Sequence, residues 1–532
     1  MFPKEIGYVK ELTLGVRAAS APRTTSSLIP IAPGATVTLD TSRFADLIAH
    51  TGSLTLAIGP IARLDVPELL LQLDRYPYGC AEQISSRAMP LLYLNEIAQM
   101  LALGTDDALK QRIKDAITNL LAKQTSSGGF GLWGADSDST DLWLDAYVTE
   151  FLLRATKEGF AVPSEAMTMA LDHLGNAVSA AADFDKGGED IAYALYDLAR
   201  GGHAAIGDLR YYFEARLANF GSPLAKAQLG AALALYGDRT RATAAFAAAV
   251  EALKTPADPK LYRSDYGSQL RDTAGVLALA AEFTPAGIDI PALSGKLADL
   301  RDLAKYTSTQ EDAWTLVAAA ALARQTAGGS VTIDGKALTG SVYQRYQQEH
   351  FDTAPVSIVN NGNQPLEMKL SVTGIPSTPP EAVSQGFTIK RQYFLPDGTH
   401  FDPTLSQVHQ NDRFVVVLTM TATRLGSGQY MVADPLPAGL EIENPDLAAG
   451  AGVGALAWLT VDTPSHVEAR TDQFVAAYRY ETDTPTLSAA YLVRAVSPGS
   501  FVLPGATVED MYRPDQRANT AAGSVEVLAP DK

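Results

Sequence analysis

The hydrophobic pattern changes twice along the chain and predicts three successive segments. Residues 1–62 alternate apolar and polar positions between Pro and Gly turns, as in Ser53–Ile58, which is typical of short strands. In residues 63–338 apolar positions recur at helical spacing, and Leu229–Tyr236 has the i, i+3, i+4, i+7 pattern of one buried helix face. Alternation returns after residue 338, so the chain is predicted to pass from strands to helices and back to strands.

This order indicates a helical domain inserted into a small β-domain. The ends of a compact domain lie close together at its surface, so a second domain is tolerated between two of its strands. We therefore expect the strands before residue 62 and those in residues 339–378 to share one sandwich. The helical segments recur at the spacing of helix pairs, which bury a continuous core when they stack. The predicted fold class is multidomain α + β.

Composition and charge exclude several classes of protein. The chain has 532 residues, of which 46% are hydrophobic and 19% charged, as is ordinary for a globular protein of more than one domain. Its net charge of −18 argues against a nucleic-acid partner and against adhesion to anionic lipid, because both need a basic surface. No apolar stretch is long enough to predict a transmembrane helix, and no apolar leader follows Met1.

The single cysteine lies in the run Tyr-Pro-Tyr-Gly-Cys-Ala-Glu-Gln, residues 76–83. A lone cysteine is ordinarily a small buried hydrophobe, and one cysteine excludes an intramolecular disulfide. Cys80 nevertheless precedes Gln83 by three residues, so both side chains meet on one face of a helical turn. The thiol can condense with the carboxamide of Gln83, expel ammonia and leave an internal thioester. An amine opens such a thioester by forming an amide with the Gln83 side chain.

The octapeptide resembles the thioester motif of the α-2-macroglobulin and complement family in its bacterial form. Further stretches in the same order along the chain are similar to that family: Leu12–Ser20, Ala62–Pro67, Ser85–Leu94, Trp143–Thr149 and Leu436–Pro445. Gln124–Trp133 and Thr309–Trp314 look like recurrent loop-and-helix sequences of the family, although ordinary turn chemistry also explains the glycines at 128 and 129. Together these stretches identify the chain as a member of that family.

The resemblance implies a specific domain order. It implies a thioester domain, an α/α toroid of helical hairpins, at residues 63–338, inserted in a CUB-like β-sandwich formed by residues 1–62 and 339–378. A macroglobulin-like β-sandwich is expected at residues 379–532. The resemblance also implies a longer, exported protein, with a protease-sensitive bait region upstream of this sequence.

The motif residues around the thioester have expected roles. Gly79, Ala81 and Glu82 complete the motif, and we expect Glu82 to support the helical turn, while a catalytic role stays open. Gly79 is expected to supply a backbone conformation closed to other residues. A helix is predicted to begin at Cys80 and to run to about Leu101, and its N-terminus is expected to lower the pKa of the thiol.

A stored thioester must be shielded from water. Tyr76 and Tyr78 are the nearest candidates, although core packing explains them equally well. The resemblance favours Tyr76 as one half of the cover and Val508–Pro514 as the other, with Met511 as the contact and Tyr512 beside it. Without the resemblance, Met511 is an ordinary core methionine.

The nucleophile is expected to be an amine. Complement-type relatives that acylate hydroxyl groups use a histidine near the thioester. The comparable stretch here, Asn176–Glu189, has none, and His173 and His203 on either side are expected to serve ordinary surface or helix roles. This difference from the family pattern favours direct attack by lysine amines.

The resemblance thus predicts a broad-spectrum protease inhibitor, not an enzyme, that traps proteases covalently through their lysines. Expected partners are target proteases and small amines such as methylamine, and no cofactor, metal or nucleic acid is expected. A periplasmic location follows from the resemblance alone, as do an inner-membrane lipid anchor and a cell-wall synthesis partner of the full-length protein.

Two alternatives stay open. A thioester also suits a surface adhesin or scaffold module, which the β-rich C-terminal segment does not exclude. An enzyme built on the toroid would need an aspartate-rich cavity, and Asp183, Asp185 and Asp190 do not form a compact motif. Reaction with an added amine separates both thioester hypotheses from the enzyme.

Overall fold

The computed structural model describes residues 18, 20–59, 61–75, 78–136, 141–255, 263–323, 329–423, 427–443, 456–470, 472–480 and 486–529. Within them the chain forms a β-sandwich, a helical domain inserted into that sandwich, and a second sandwich. In this described part, none of the helices combines the length and the apolar content needed to cross a membrane.

The first sandwich is built from both sides of the helical domain. Its strands are β1 (Arg23–Ile31), β2 (Thr36–Leu39), β3 (Ser53–Ile58), β4 (Gly329–Ile333), β5 (Lys336–Gly340), β6 (Val342–Gln347), β7 (Val356–Asn360) and β8 (Leu366–Gly374). One sheet has the order β1-β8-β3-β6 and the other β2-β7-β4-β5. Strand β3 places Leu54, Leu56 and Ile58 between the sheets, while Ala57 on its other face packs against the helices. The predicted insertion is confirmed.

The helical domain ends earlier than the hydrophobic pattern predicted. Strand β4 and the first three residues of β5 fall inside the predicted helical range 63–338, but the two strands pair with each other, and β4 also pairs with β7. Val331 is buried in the core of the first sandwich. Asp334 and Gly335 join the two strands with φ values of +48° and +80°, as a two-residue hairpin turn requires. The boundary at 338 is therefore wrong, because a short hairpin directly follows an alanine-rich helix.

The helices close into a ring. They are α1 (Val66–Arg75), α2 (Ala81–Ala88), α3 (Asn95–Met100), α4 (Asp106–Leu121), α5 (Leu142–Lys157), α6 (Ser164–Ala180), α7 (Glu189–Arg200), α8 (Ile206–Tyr211), α9 (Pro223–Leu235), α10 (Arg239–Ala252), α11 (Gln269–Phe283), α12 (Ile290–Leu303) and α13 (Thr309–Ala323). Helices α2, α5, α7, α9, α11 and α13 each pack against the next, and α13 packs against α2. Helices α1, α4, α6, α10 and α12 pack outside this ring.

The inner and outer helices differ in composition for a physical reason. The inner helices α11 and α13 are buried on nearly all sides, and their many alanines let neighbouring backbones approach closely. The outer helix α10 buries one face, which carries Ala242, Ala245, Phe246 and Ala249. This arrangement is the α/α toroid that the family resemblance implied, and that prediction is confirmed.

The C-terminal sandwich contains the remaining described strands. They are β9 (Val383–Gln385), β10 (Phe387–Phe394), β11 (His400–Phe401), β12 (Val408–His409), β13 (Arg413–Ala422), β14 (Gly428–Pro435), β15 (Leu440–Ile442), β16 (His466–Arg470), β17 (Gln473–Tyr480), β18 (Thr486–Ala495), β19 (Gly499–Leu503), β20 (Thr507–Asp510), β21 (Arg517–Asn519) and β22 (Gly523–Leu528). The sheets have the orders β11-β10-β13-β18-β15, β16-β17-β14-β20-β21-β9 and β12-β22-β19.

One face of the C-terminal sandwich lies on the helical domain. In β14, Tyr430 and Val432 point into the core of the sandwich, whereas Met431 and Ala433 belong to the core of the helical domain. Both faces of β14, a central strand of its sheet, are therefore buried. The sheet also carries β20, and the residues that follow β20 reach the start of α2.

Candidate functional site

Cys80 is the N-cap of α2, and Gln83 is the third residue of that helix. The backbone N–H of Gln83 donates to the Cys80 side chain, and the backbone N–H of Cys80 donates to Gln83 Oε1 at 3.2 Å. This capping box turns both side chains back over the first helical turn, as thioester closure requires. Helix α2 ends at Ala88 and not near Leu101, because Pro90 lacks the N–H that would continue it.

Both reactive side chains are sealed from solvent, since Cys80 and Gln83 each expose 0% of their surface. Burial raises the pKa of the Cys80 thiol well above its usual value, and the charge of Glu82 raises it further. The N–H of Gln83 and the ammonium of Lys123 oppose these effects without cancelling them. The expected lowering of the thiol pKa is therefore wrong here. Because a thiol of higher pKa is a poorer leaving group, burial protects a stored thioester.

The glycine before the cysteine has no special backbone. Gly79 is exposed, its φ lies outside the left-handed region, and an added Cβ would meet no atom within 4 Å. The expectation that only glycine fits this position is wrong, because the approach to the N-cap needs no positive φ here. The absent side chain leaves an open surface beside the buried cysteine.

Glu82 connects three parts of the molecule. Its carboxylate accepts hydrogen bonds from Ser86 Oγ at 2.5 Å, Thr309 Oγ1 at 2.9 Å, Gln310 Nε2 at 2.8 Å and Tyr512 OH at 3.3 Å. The donors belong to α2, to the start of α13 and to the segment after β20. Burial raises the pKa of Glu82, and these donors lower it in part. Of the two roles left open by the sequence, this geometry favours support over catalysis.

The 124–134 loop seals the start of α2 from another side. The carbonyl of Leu132 accepts a hydrogen bond from the backbone N–H of Ala81 at 2.8 Å, which satisfies an amide at the beginning of the helix. Lys123 Nζ donates to the carbonyl of Trp133 at 2.6 Å. The family-like stretch in this loop therefore has a structural role, because the carbonyl of Leu132 binds the backbone N–H next to Cys80.

A glycine and a buried carboxylate shape that loop. Gly128 has φ +94°, and an added Cβ would lie 2.2 Å from the carbonyl oxygen of Met169. Asp145 Oδ1 accepts a hydrogen bond from the backbone N–H of Phe130 at 2.6 Å, and its Oδ2 lies 2.9 Å from His173 Nε2. His173 thus supports the loop, and the pKa of its imidazole is raised by its bond to Asp145.

Tyr76 lies outside the described residues, so its predicted shielding role stays a prediction. The other predicted shielding residues are buried in the same hydrophobic core as Cys80: Tyr78, Met511 and Tyr512. The hydroxyl of Tyr512 reaches Glu82, and its ring packs edge-on against Tyr266 with ring centroids 4.4 Å apart. The C-terminal sandwich therefore lies directly over the thioester motif.

Sequence reasoning missed other residues of this cover. The ring of Trp133 stacks on His466 of β16, with centroids 4.3 Å apart and an interplanar angle of 3°. Tyr266 has φ +52°, donates its hydroxyl to Asp141 and presents its ring to Tyr512. A histidine in a strand and a tyrosine in a loop carry no signal by themselves. The family-like stretch that ends at Trp133 was the available signal for this contact.

Two family models match the chain. The A-macroglobulin TED domain matches residues 53–189, which include the whole thioester motif. The bacterial α-2-macroglobulin MG10 domain matches residues 386–515, which include both C-terminal shielding residues.

Curated relatives match almost the whole chain. The α-2-macroglobulin of Escherichia coli strain K12 is 32% identical over 549 residues, covering 98% of this chain and 32% of the relative. The α-2-macroglobulin of Xylella fastidiosa strain Temecula1 is 31% identical, covering 93% of this chain and 32% of the relative. The chain therefore spans about a third of the length of these relatives.

Solved structures share the fold. Native E. coli α-2-macroglobulin from domain MG7 to the C-terminus has a TM-score of 0.83 at 29% identity, covering 97% of this chain and 83% of that one. Salmonella α-2-macroglobulin reacted with methylamine has a TM-score of 0.84 at 31% identity, covering 97% of this chain and 34% of that one. Sequence, domain order and fold agree, and the chain belongs to the bacterial α-2-macroglobulin family.

Proposed function

We propose that Cys80 and Gln83 form an internal thioester that acylates amines, as the reactive part of a covalent protease trap. The observation that carries this proposal is the capping box of Cys80 and Gln83, fully buried beneath the C-terminal sandwich. A relative of the same fold that has been reacted with methylamine supports amine chemistry at this site.

The chemistry needs no reagent beyond the two side chains and an amine. Ring closure joins Cys80 Sγ to Gln83 Cδ and releases the carboxamide nitrogen as ammonia. An incoming amine nitrogen then attacks Cδ, the C–S bond breaks with its electron pair on sulfur, and the proton lost by the amine ends on the thiol. The amide product is stable, so the group reacts once, and we do not expect turnover as in an enzyme.

In the full-length protein, the amine is proposed to be a lysine of a protease that has cut an upstream bait region. The cover supports a triggered release, because Met511 and Tyr512 belong to the C-terminal sandwich and Cys80 to the helical ring. A movement between these two domains would uncover the thioester in one step. This chain alone should react with small amines but should not respond to a protease. Protease-triggered amine incorporation by this chain alone would contradict the proposal that the protease is sensed by an upstream region.

The adhesin alternative predicts the same chemistry without the trigger. In full-length protein, a protease-induced release of the Cys80 thiol supports the trap, and a thiol that stays silent until a surface amine is offered supports the adhesin. The family also supports a periplasmic location, with a lipid anchor and a cell-wall partner as further proposals. Fractionation of cells that express the full-length protein tests the location.

The test of the thioester itself is methylamine treatment followed by thiol titration and peptide mass spectrometry. We expect one thiol to appear on treatment and the methylamide to be found on Gln83. Gln83→Asn is the matched control, because it keeps a carboxamide but shortens its reach to Cys80. A wild-type thiol that titrates fully before methylamine is added, with Gln83 unmodified, would contradict the proposal.

A further inference from the structure

Lys123 is held against the start of α2. It follows the last turn of α4, and its Nζ donates to the carbonyl of Trp133 at 2.6 Å. The neighbouring carbonyl, that of Leu132, accepts the hydrogen bond of Ala81 at 2.8 Å. The amino group is thus bound one peptide unit away from the contact that anchors the residue next to Cys80.

The position of Lys123 beside the start of α2 lets its charge act on the Cys80 sulfur. Burial lowers the pKa of the Lys123 ammonium, and its interaction with Cys80 raises it again. The same interaction lowers the pKa of the Cys80 thiol, against the larger effects of burial and of the Glu82 carboxylate. Because Cys80 is fully buried and Lys123 is half-buried, salt screens this interaction less than it screens a pair of exposed charges.

The leaving group of the thioester needs such a charge. Opening the thioester places an electron pair on a sulfur that is fully buried and lies near a carboxylate. An uncompensated charge in that position is costly, and a cation nearby stabilises it. We propose that Lys123 is the residue that stabilises the Cys80 thiolate as it leaves, an inference that rests on the proposed thioester. Lys123 itself gains and loses no bond in this step. The proton lost by the attacking amine finally neutralises the sulfur.

A second lysine of the same domain separates this role from ordinary packing. Lys226 is buried where Lys123 is half-buried, and its Nζ likewise donates to a backbone carbonyl, that of Leu217 at 2.5 Å. Burial lowers the pKa of Lys226 as well, but the charge that opposes this effect is Glu189 and not a thiol. Lys226 is therefore the matched structural control for Lys123.

The experiment compares the variants Lys123→Gln, Lys123→Arg and Lys226→Gln with the wild type. Glutamine keeps an N–H donor for Trp133 but removes the charge, whereas arginine keeps both. The first measurement is the rate of thiol release by methylamine. The second is the pH profile of Cys80 alkylation by iodoacetamide after the thioester has been opened.

We expect Lys123→Gln to slow thiol release roughly tenfold and to raise the alkylation pKa of Cys80 by about one unit, the two effects being equivalent in free energy. Lys123→Arg and Lys226→Gln should stay near the wild type in both measurements. A Lys123→Gln variant with wild-type rate and pH profile overturns the inference, as does a Lys226→Gln variant that shifts both equally.

The outcome is separable from that of the proposed function. A wild type without methylamine-released thiol contradicts the thioester, and the alkylation profile of its free Cys80 still decides whether Lys123 acts on the sulfur. If Lys123→Gln does not fold, the pH profile of Cys80 alkylation in Lys123→Arg is the test. Arginine retains the charge, so a profile that differs from the wild type overturns the inference.

Discussion

Two buried acids of the helical domain, Asp265 and Glu82, are held in opposite ways. Asp265 pairs with guanidinium groups, with Arg271 at 2.6 Å and Arg263 Nε at 2.8 Å. Burial alone would raise the pKa of Asp265, but the two arginines lower it. Glu82 accepts hydrogen bonds from hydroxyl and amide groups, so burial dominates and its pKa is raised.

This difference separates the ion pairs that hold the helical ring together from the neutral hydrogen bonds that join the ring to the C-terminal sandwich. Removing one partner of a buried ion pair leaves a charge without compensation, so the Asp265 cluster holds only as a unit. Each neutral hydrogen bond to Glu82 contributes less to the free energy of unfolding than such an ion pair. One of its donors, the hydroxyl of Tyr512, belongs to another domain. The proposed movement of the C-terminal sandwich would therefore break a neutral hydrogen bond to Glu82 and would leave the ion pairs of Asp265 intact.

The largest effect is expected at the ion pairs. Arg271→Met should destabilise the helical domain by about 3 kcal/mol, because it removes one of the two arginines that pair with the buried Asp265 and Asp272 and leaves both aspartates to Arg263. Urea unfolding followed by tryptophan fluorescence measures this loss. Arg239→Met removes an exposed arginine and is the control. Equal unfolding midpoints for the two variants would contradict the structural role of the cluster.

Replacing Glu82 in the thioester motif is expected to cost less stability but to affect the reactivity of Cys80. Glu82→Gln keeps the shape, but its amide has one acceptor oxygen and brings a second NH₂ group towards Gln310. We expect a loss of about 1–3 kcal/mol, since buried donors are left unpaired. The Cys80 thiol should also titrate faster without added amine, because the cover is loosened. If Glu82→Gln has the stability of the wild type and its thiol titrates no faster without added amine, Glu82 does not stabilise the site.

A single hydroxyl tests the contact between domains. Tyr512→Phe removes the bond to Glu82 and keeps the ring on Tyr266, so we expect a loss of about 1 kcal/mol and a several-fold faster spontaneous hydrolysis of the thioester. Tyr491→Phe is the control, because its hydroxyl donates to the buried Asp434 within the C-terminal sandwich. If the thioester hydrolyses at the same rate in both variants, the Tyr512 hydroxyl does not help to shield the thioester from water.

The smallest effect is in the pH dependence of stability. Because the pKa of Glu82 is raised above its ordinary 4.5, the folded protein binds more protons than the unfolded chain between 4.5 and the raised value. The stability that Glu82 contributes therefore increases as the pH falls through that window. Asp265 has a lowered pKa, so its contribution is lost only as the pH falls below its ordinary 3.8. Thermal unfolding of wild type and Glu82→Gln from pH 7 to 5 should differ in slope, and parallel curves would contradict this assignment.

The sequence was sufficient for what depends on local pattern. Alternating and helical periodicity gave the order of the domains, and the three-residue spacing put Cys80 and Gln83 on one helical turn. The hairpin of β4 and β5 had a signal in Asp334-Gly335, but a helical composition just before it masked that signal. The hydrogen bond between Glu82 and Tyr512 had no signal in periodicity or spacing, because the two residues lie 430 positions apart; the family resemblance alone put Tyr512 near the motif.

Two chemical expectations failed for a related reason. The helix N-terminus was expected to lower the pKa of Cys80, but burial outweighs it, in a hydrophobic core that also contains Leu132 of the loop and Met511 and Tyr512 of the C-terminal sandwich. Gly79 was expected to need its conformational freedom, but the path of the chain into α2 does not use it. Periodicity indicates which face of a helix is buried, and it does not indicate which distant segment covers that face.

The intact mass of the untreated, native protein tests the central claim most directly. If Cys80 and Gln83 are joined, the mass is lower by one ammonia than the sequence requires, and methylamine adds its full mass to that species. If the mass equals that of the sequence and methylamine leaves it unchanged, the two side chains are not joined and the covalent trap is contradicted.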